Sequence, residues 1–141
     1  MNKRELKLDK YGINGKRYKE LRSFCEQYPD WKNELKDHAF ISAVQYSDEP
    51  KPSNHNNSDT TARHALKLIR YKKNMEMVEK VAKEVDSELW EYLIKGICYG
   101  VPINYLINVE HMPISAPAYY ERRRYFFFLL DTEKDRQNYG N

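Results

Sequence analysis

The first amphipathic pattern in the chain predicts a helix over residues 14–27. Tyr18, Leu21, Phe24, Cys25 and Tyr28 recur at helical spacing, with lysine, arginine and glutamate on the other face. Pro29 disfavours a helical residue before it, so Tyr28-Pro29-Asp30-Trp31 reads as a break. A second helix is expected from Asp30 or Trp31, with Trp31, Leu35, Ala39 and Ala43 four residues apart, ending before Ser47. Residues 47–58 hold almost nothing that can pack and read as a loop or linker.

Ser58, Asp59 or Thr60 can cap a long helix over 59–85. Its expected inner positions are Ala62, Leu66, Ile69, Met77 or Val78, Val81 and Val85. Its outer face carries Arg63, Lys67, Arg70, Lys72 and Lys73, then mixed charges from Glu76 to Glu84. A fourth helix is expected to begin at Asp86 or Ser87, with Leu89/Trp90, Ile94 and Ile97/Cys98 as its apolar stripe and Gly100 as its C-terminal cap. Pro102 suits the start of a short helix over 103–109, and Glu110–Pro113 reads as a turn. Ser115 is a good N-cap for a last helix over 116–130, with Pro117 tolerated in the first turn. Residues 132–141 are a polar tail expected to fray. The five glycines leave 16–95 glycine-free, which argues against tight hairpins. The fold class is therefore all-α: a helical N-terminal part (1–46), a linker (47–58), a long basic helix (59–85) and a C-terminal helix-turn-helix (87–131).

Composition narrows this picture. A chain of 141 residues is one domain's worth, and 40% hydrophobic residues can supply one modest core. The mean hydropathy of −0.91 and the lack of a long apolar run argue against a membrane span, and no apolar segment follows the charged start as in a signal peptide. Two cysteines inside apolar helical patterns read as buried free thiols of a cytoplasmic protein. Net charge is +3, and it is unevenly spread: 10 basic and 9 acidic groups over 1–50, 8 and 5 over 51–86, 6 and 7 over 87–141. Bulk coating of nucleic acid is disfavoured, while a few placed cations remain available.

Segment 87–131 has the layout of a helix-turn-helix, whose last helix lies in the DNA major groove with its N-terminal residues at base edges. Tyr105 and Leu106 are expected to point inward, Ile114 to plug the core, and Tyr119, Phe126 and Leu130 to hold the last helix down. Arg122, Arg123 and Arg124 sit where at least two could reach phosphates or bases, with Ser115 and Tyr119 or Tyr120 near the groove. Lys67, Arg70 and Lys73 on the long helix offer a second set of phosphate contacts. The competing reading is a trihelical bundle whose cations are a solvated face. The aromatic residues at helical spacing read as core and interface rather than as a platform for single strands. The four histidines show no HExxH and no paired metal spacing, and no GxxxxGK[ST] or GxGxxG is present. Neither an enzyme nor a cofactor is expected.

Lys10-Tyr11-Gly12, then Glu26-Gln27-Tyr28-Pro29-Asp30-Trp31, a proline-containing loop, a long basic helix and Tyr119-Tyr120-Glu121-Arg122-Arg123-Arg124-Tyr125-Phe126-Phe127 resemble small phage or prophage late-gene transcriptional activators of the RinA-like and ArpU-like kind. The resemblance implies a C-terminal part similar to sigma-factor region 4. It implies a regulator that binds double-stranded DNA and touches RNA polymerase, with a homodimer as a further expectation. Ala116-Pro117-Ala118 departs from the polar or basic residues such proteins more often carry there. That departure and the near-neutral charge favour the alternative, a helical protein-binding adaptor or inhibitor that keeps the helix-turn-helix shape; a DNA-packaging accessory protein is a third reading that could share the fold.

Overall fold

The computed structural model describes residues 8–45 and 58–139. The expected linker, apart from Ser58, lies outside them, as do the first seven residues and the last two. Among the described residues the secondary structure is helical throughout, with no strand. No helix among them is long and apolar enough to cross a membrane. None of the described His, Cys, Asp and Glu residues gather into a group of three or more that could hold a metal ion.

A 3-10 turn at Asp9–Tyr11 ends in Gly12 at φ 71°, a left-handed conformation that glycine adopts without strain. It folds Leu8 and Ile13 into the core. Helix α1 (Gly15–Glu26) follows, with the Asn14 side chain accepting from the Arg17 N–H at 2.9 Å. Only Gln27 separates it from α2 (Tyr28–Gln45). The break falls where expected, yet α2 starts at Tyr28, because Pro29 occupies its first turn, where no intrahelical N–H is needed. Helix α3 (Ser58–Val85) runs antiparallel to α2: Tyr28 bonds Glu79, Trp31 faces Tyr71, and His38 faces His64.

The apolar stripe assigned to the first half of α3 is corrected by the structure. Ala62 is exposed, and Leu66 and Ile69 are 66% and 52% exposed, whereas Leu68 and Tyr71 turn inward. Among the described residues it is α2 that lies against that half, through Trp31 at Tyr71 and His38 at His64, and it covers one edge of the helix. The second half of α3 meets α4 (Trp90–Cys98) and α6 (Ala116–Tyr139), and there Met77, Val78, Val81 and Ala82 are all buried.

Helix α6 carries the largest fully buried side chains among the described residues. Tyr119, Phe126, Phe127 and Leu130 are fully buried against α1, α3 and α4. Each such side chain contributes about 1.5–3 kcal/mol through loss of water contact. Tyr18 meets Phe127 edge-on at 5.1 Å, and Tyr11 stacks on Phe128 at 5.0 Å. The helix does not end near 130 as expected, but continues to Tyr139. Its polar end is tied down: Arg17 pairs with Asp131 at 2.5 Å and Asp135 at 3.2 Å, and Lys80 reaches Glu133 at 3.4 Å. Lys134 Nζ lies 3.6 Å from the Phe24 ring centroid, and its burial there holds its pKa below the usual lysine range.

Gly96 sets the approach of α4 to α6. A Cβ at this position would lie 1.8 Å from the Tyr119 hydroxyl and 3.1 Å from the ring carbon bearing it. Gly96→Ala is therefore expected to destabilise by about 2–3 kcal/mol through overpacking. Adding Tyr119→Phe removes the clashing atom and should restore most of that loss. A urea-denaturation double-mutant cycle reads the coupling directly, and strictly additive effects would refute this account of Gly96.

Candidate nucleic-acid interface

The segment expected to form a helix-turn-helix begins where α4 stops. Gly100 adopts φ 68°, and the Val101 N–H returns to the Lys95 carbonyl at 3.1 Å, closing the helix end. Pro102 then leads into α5 (Ile103–Asn108). Leu106 is fully buried, but Tyr105 is 50% exposed, against the expectation that both turn inward. Adjacent helical residues point about 100° apart, and a helix of this length has one buried face only.

The exit from α5 repeats the exit from α4. His111 takes the left-handed conformation at φ 57°, and the Met112 N–H donates to the Leu106 carbonyl at 2.8 Å. Met112 is thereby buried, and it fills the position expected of Ile114, which is only half-buried. Ser115 caps α6 as expected: its Oγ accepts from the Ala118 N–H at 3.3 Å and its carbonyl from the Tyr119 N–H at 2.9 Å. The outward side chains at this end are Ser115, Pro117, Tyr120 and Glu121. Tyr119 points the other way, into the core, where burial raises its phenol pKa and Arg123 opposes the rise.

The three consecutive arginines have three different environments. Arg122 donates from Nε to Asp86 at 2.8 Å and from a terminal nitrogen to the Ala118 carbonyl at 3.1 Å. Arg123 lies beside Tyr119 with its Nε buried, and among the described residues neither that Nε nor the Tyr119 hydroxyl has a well-formed hydrogen bond. Arg124 bonds Glu121 one turn earlier, and Glu121 is also reached by Lys10 at 3.5 Å. Both contacts hold the Glu121 carboxyl below its usual range. The expected contacts at Lys67, Arg70 and Lys73 are exposed along the first and middle turns of α3. Since Asp86 marks the end of α3 nearest Arg122, roughly 20 Å or more of helix separates them from the start of α6. The nine candidate residues therefore form two separate sets.

Sequence reasoning missed Asp86 as an organiser of this site. It was expected to start the fourth helix, but that helix begins at Trp90, and residues 86–89 form a turn. One Asp86 oxygen accepts from the Glu88 and Leu89 N–H groups at 3.0 and 2.9 Å, and the other receives Arg122. Burial pushes its carboxyl pKa up, but Arg122 and the two N–H groups outweigh that and hold it below the usual aspartate range. A depressed carboxylate stabilises the fold above its unfolded pKa, and that stability is lost as pH falls through the folded value. Asp86→Asn should cost about 1 kcal/mol at neutral pH. Thermal melts of both proteins should converge below the ordinary aspartate range, and a gap that stays constant with pH would refute this role. Comparison with protein-family models, with curated proteins and with solved structures finds no match to the chain.

Proposed function

We propose that this protein is a double-stranded-DNA-binding transcriptional regulator of the phage late-gene type, docking the α5–α6 unit on duplex DNA. The observation that carries this reading is the construction of that unit. A six-residue helix, a left-handed exit at His111, the Met112 plug and the Ser115 cap leave the first turns of a long, firmly seated helix facing outward. Asn104, Tyr105 and Asn108 of α5 are exposed and can approach a backbone phosphate. Among the arginines, Arg124 is the one suited to DNA: its acidic partner, Glu121, is itself exposed and on the same surface, so a phosphate can replace it. Arg122 and Arg123 hold the fold together instead. The Ala-Pro-Ala start of α6 offers shape and apolar contact rather than hydrogen bonds, so affinity rests on the backbone more than on bases.

Salt-titrated binding to a random duplex and to a phage late promoter tests the reading. Arg124→Ala should weaken binding several-fold on both and lower the slope of log K against log salt by about one. Arg122→Ala should lower thermal stability. Failure of the intact chain to bind any duplex at low salt would remove the DNA reading. It would leave the helical adaptor, which the exposed Tyr99, Tyr105 and Val109 favour.

A further inference from the structure

A groove of about 630 Å³ opens between α2, α3, α4 and α5, away from the arginines of α6. Its volume falls in the range of sites that take a drug-sized ligand or a few residues of peptide. Tyr28, Trp90, Tyr99 and Tyr105 supply aromatic walls, with Ile94 and Val101 as apolar lining. Tyr99 is 46% exposed, so a large part of the wall is in water.

The charges around this groove select the sign of its occupant. Three carboxylates (Glu79, Glu91 and Glu110) face two ammonium groups (Lys32 and Lys95). Lys95 and Glu110 are bonded to each other, and Glu110 keeps the Lys95 pKa above its usual value. Within the lining itself that leaves Glu79 and Glu91 against Lys32, with Lys83 outside it on the Trp90 ring. The Tyr28 hydroxyl donates to Glu79 Oε1 at 2.6 Å, which fixes the carboxylate in place without neutralising it. The local rings already hold cations: Lys83 Nζ lies 4.7 Å from the Trp90 centroid and Lys95 Nζ 5.8 Å from that of Tyr92. A cation over an aromatic face is stabilised by the ring quadrupole, most strongly at tryptophan.

We infer that this groove receives a cationic side chain, arginine or lysine, presented by a partner polypeptide, with the aromatic walls covering its apolar stem and Glu79 meeting its charge. A planar guanidinium can stack on a ring and bond a carboxylate edge at once, so arginine fits better than lysine. An acidic peptide would meet the excess of carboxylates, and a purely apolar one would leave Glu79 without a counter-charge.

The probe is a capped tripeptide, Leu-Arg-Leu, titrated into the intact chain with amide chemical shifts as readout. Its citrulline and glutamate counterparts serve as neutral and acidic controls. Saturable shifts confined to residues 90–101, Tyr105 and the facing turns of α2 and α3 are expected, with a Kd of about 1 mM. The citrulline peptide should bind about tenfold more weakly. Glu79→Gln keeps an acceptor for Tyr28, so the fold is retained while Leu-Arg-Leu affinity falls about fivefold. Equal binding of the citrulline peptide, preference for glutamate, shifts elsewhere or no saturation would each overturn the inference. Arg124→Ala should leave peptide binding unchanged and Glu79→Gln should leave duplex binding unchanged, so failure of one site is distinguishable from failure of the other.

Discussion

Burial of the aromatic face of α6 is the constraint on which the other contacts depend. Tyr119, Phe126, Phe127 and Leu130 fill one stripe of a helix that touches α1, α3 and α4 together. Tyr119, Phe126 and Phe127 are the largest fully buried side chains among the described residues. A helix seated this way has little freedom to choose which residues face water. Arg122 and Arg123 border the buried stripe, so their guanidinium groups are drawn against Asp86, the Ala118 carbonyl and Tyr119. The cost of leaving cations near an apolar core without partners accounts for the pairing of Arg122. Among the described residues Arg123 Nε has no such partner and rests beside Tyr119.

The positive charge of the chain is consequently distributed by packing. The arginine run carries three cations in sequence and two of them are drawn against the fold, while Lys67, Arg70 and Lys73 remain exposed on α3, about 20 Å or more of helix away. A duplex at the start of α6 would meet Arg124 and a few polar side chains. The cations of α3 could join only along a bent or extended DNA path, or through a second copy of the chain.

The sequence made the helical inventory legible because its punctuation is strong. Pro29, Gly100, Pro102 and Ser115 stand at helix boundaries for reasons of backbone geometry that act locally. What was not legible depends on long-range partners. Leu66 and Ile69 fit a helical stripe perfectly well, but periodicity does not say whether a neighbour covers that face. The last turns of α6 look like a fraying tail until Arg17 and Lys80, more than 50 positions earlier, are placed beside them. Of the candidate site, the cap at Ser115 and the inward position of Phe126 were readable. The fate of each arginine was not, because Asp86 and Glu121 are ordinary surface acids until the fold brings them close.

The notch at Gly96 carries a further consequence. With the Tyr119 hydroxyl lodged against a residue that has no side chain, α6 is pinned at one point near its beginning as well as along its aromatic stripe. Rotation of the helix about its own axis would drive that hydroxyl into the backbone of α4. The azimuth of α6 is thus held by the missing methyl group at Gly96 together with the buried stripe. Whatever surface α6 offers to a partner is presented as a rigid template, so recognition must come from a partner that adapts its own shape.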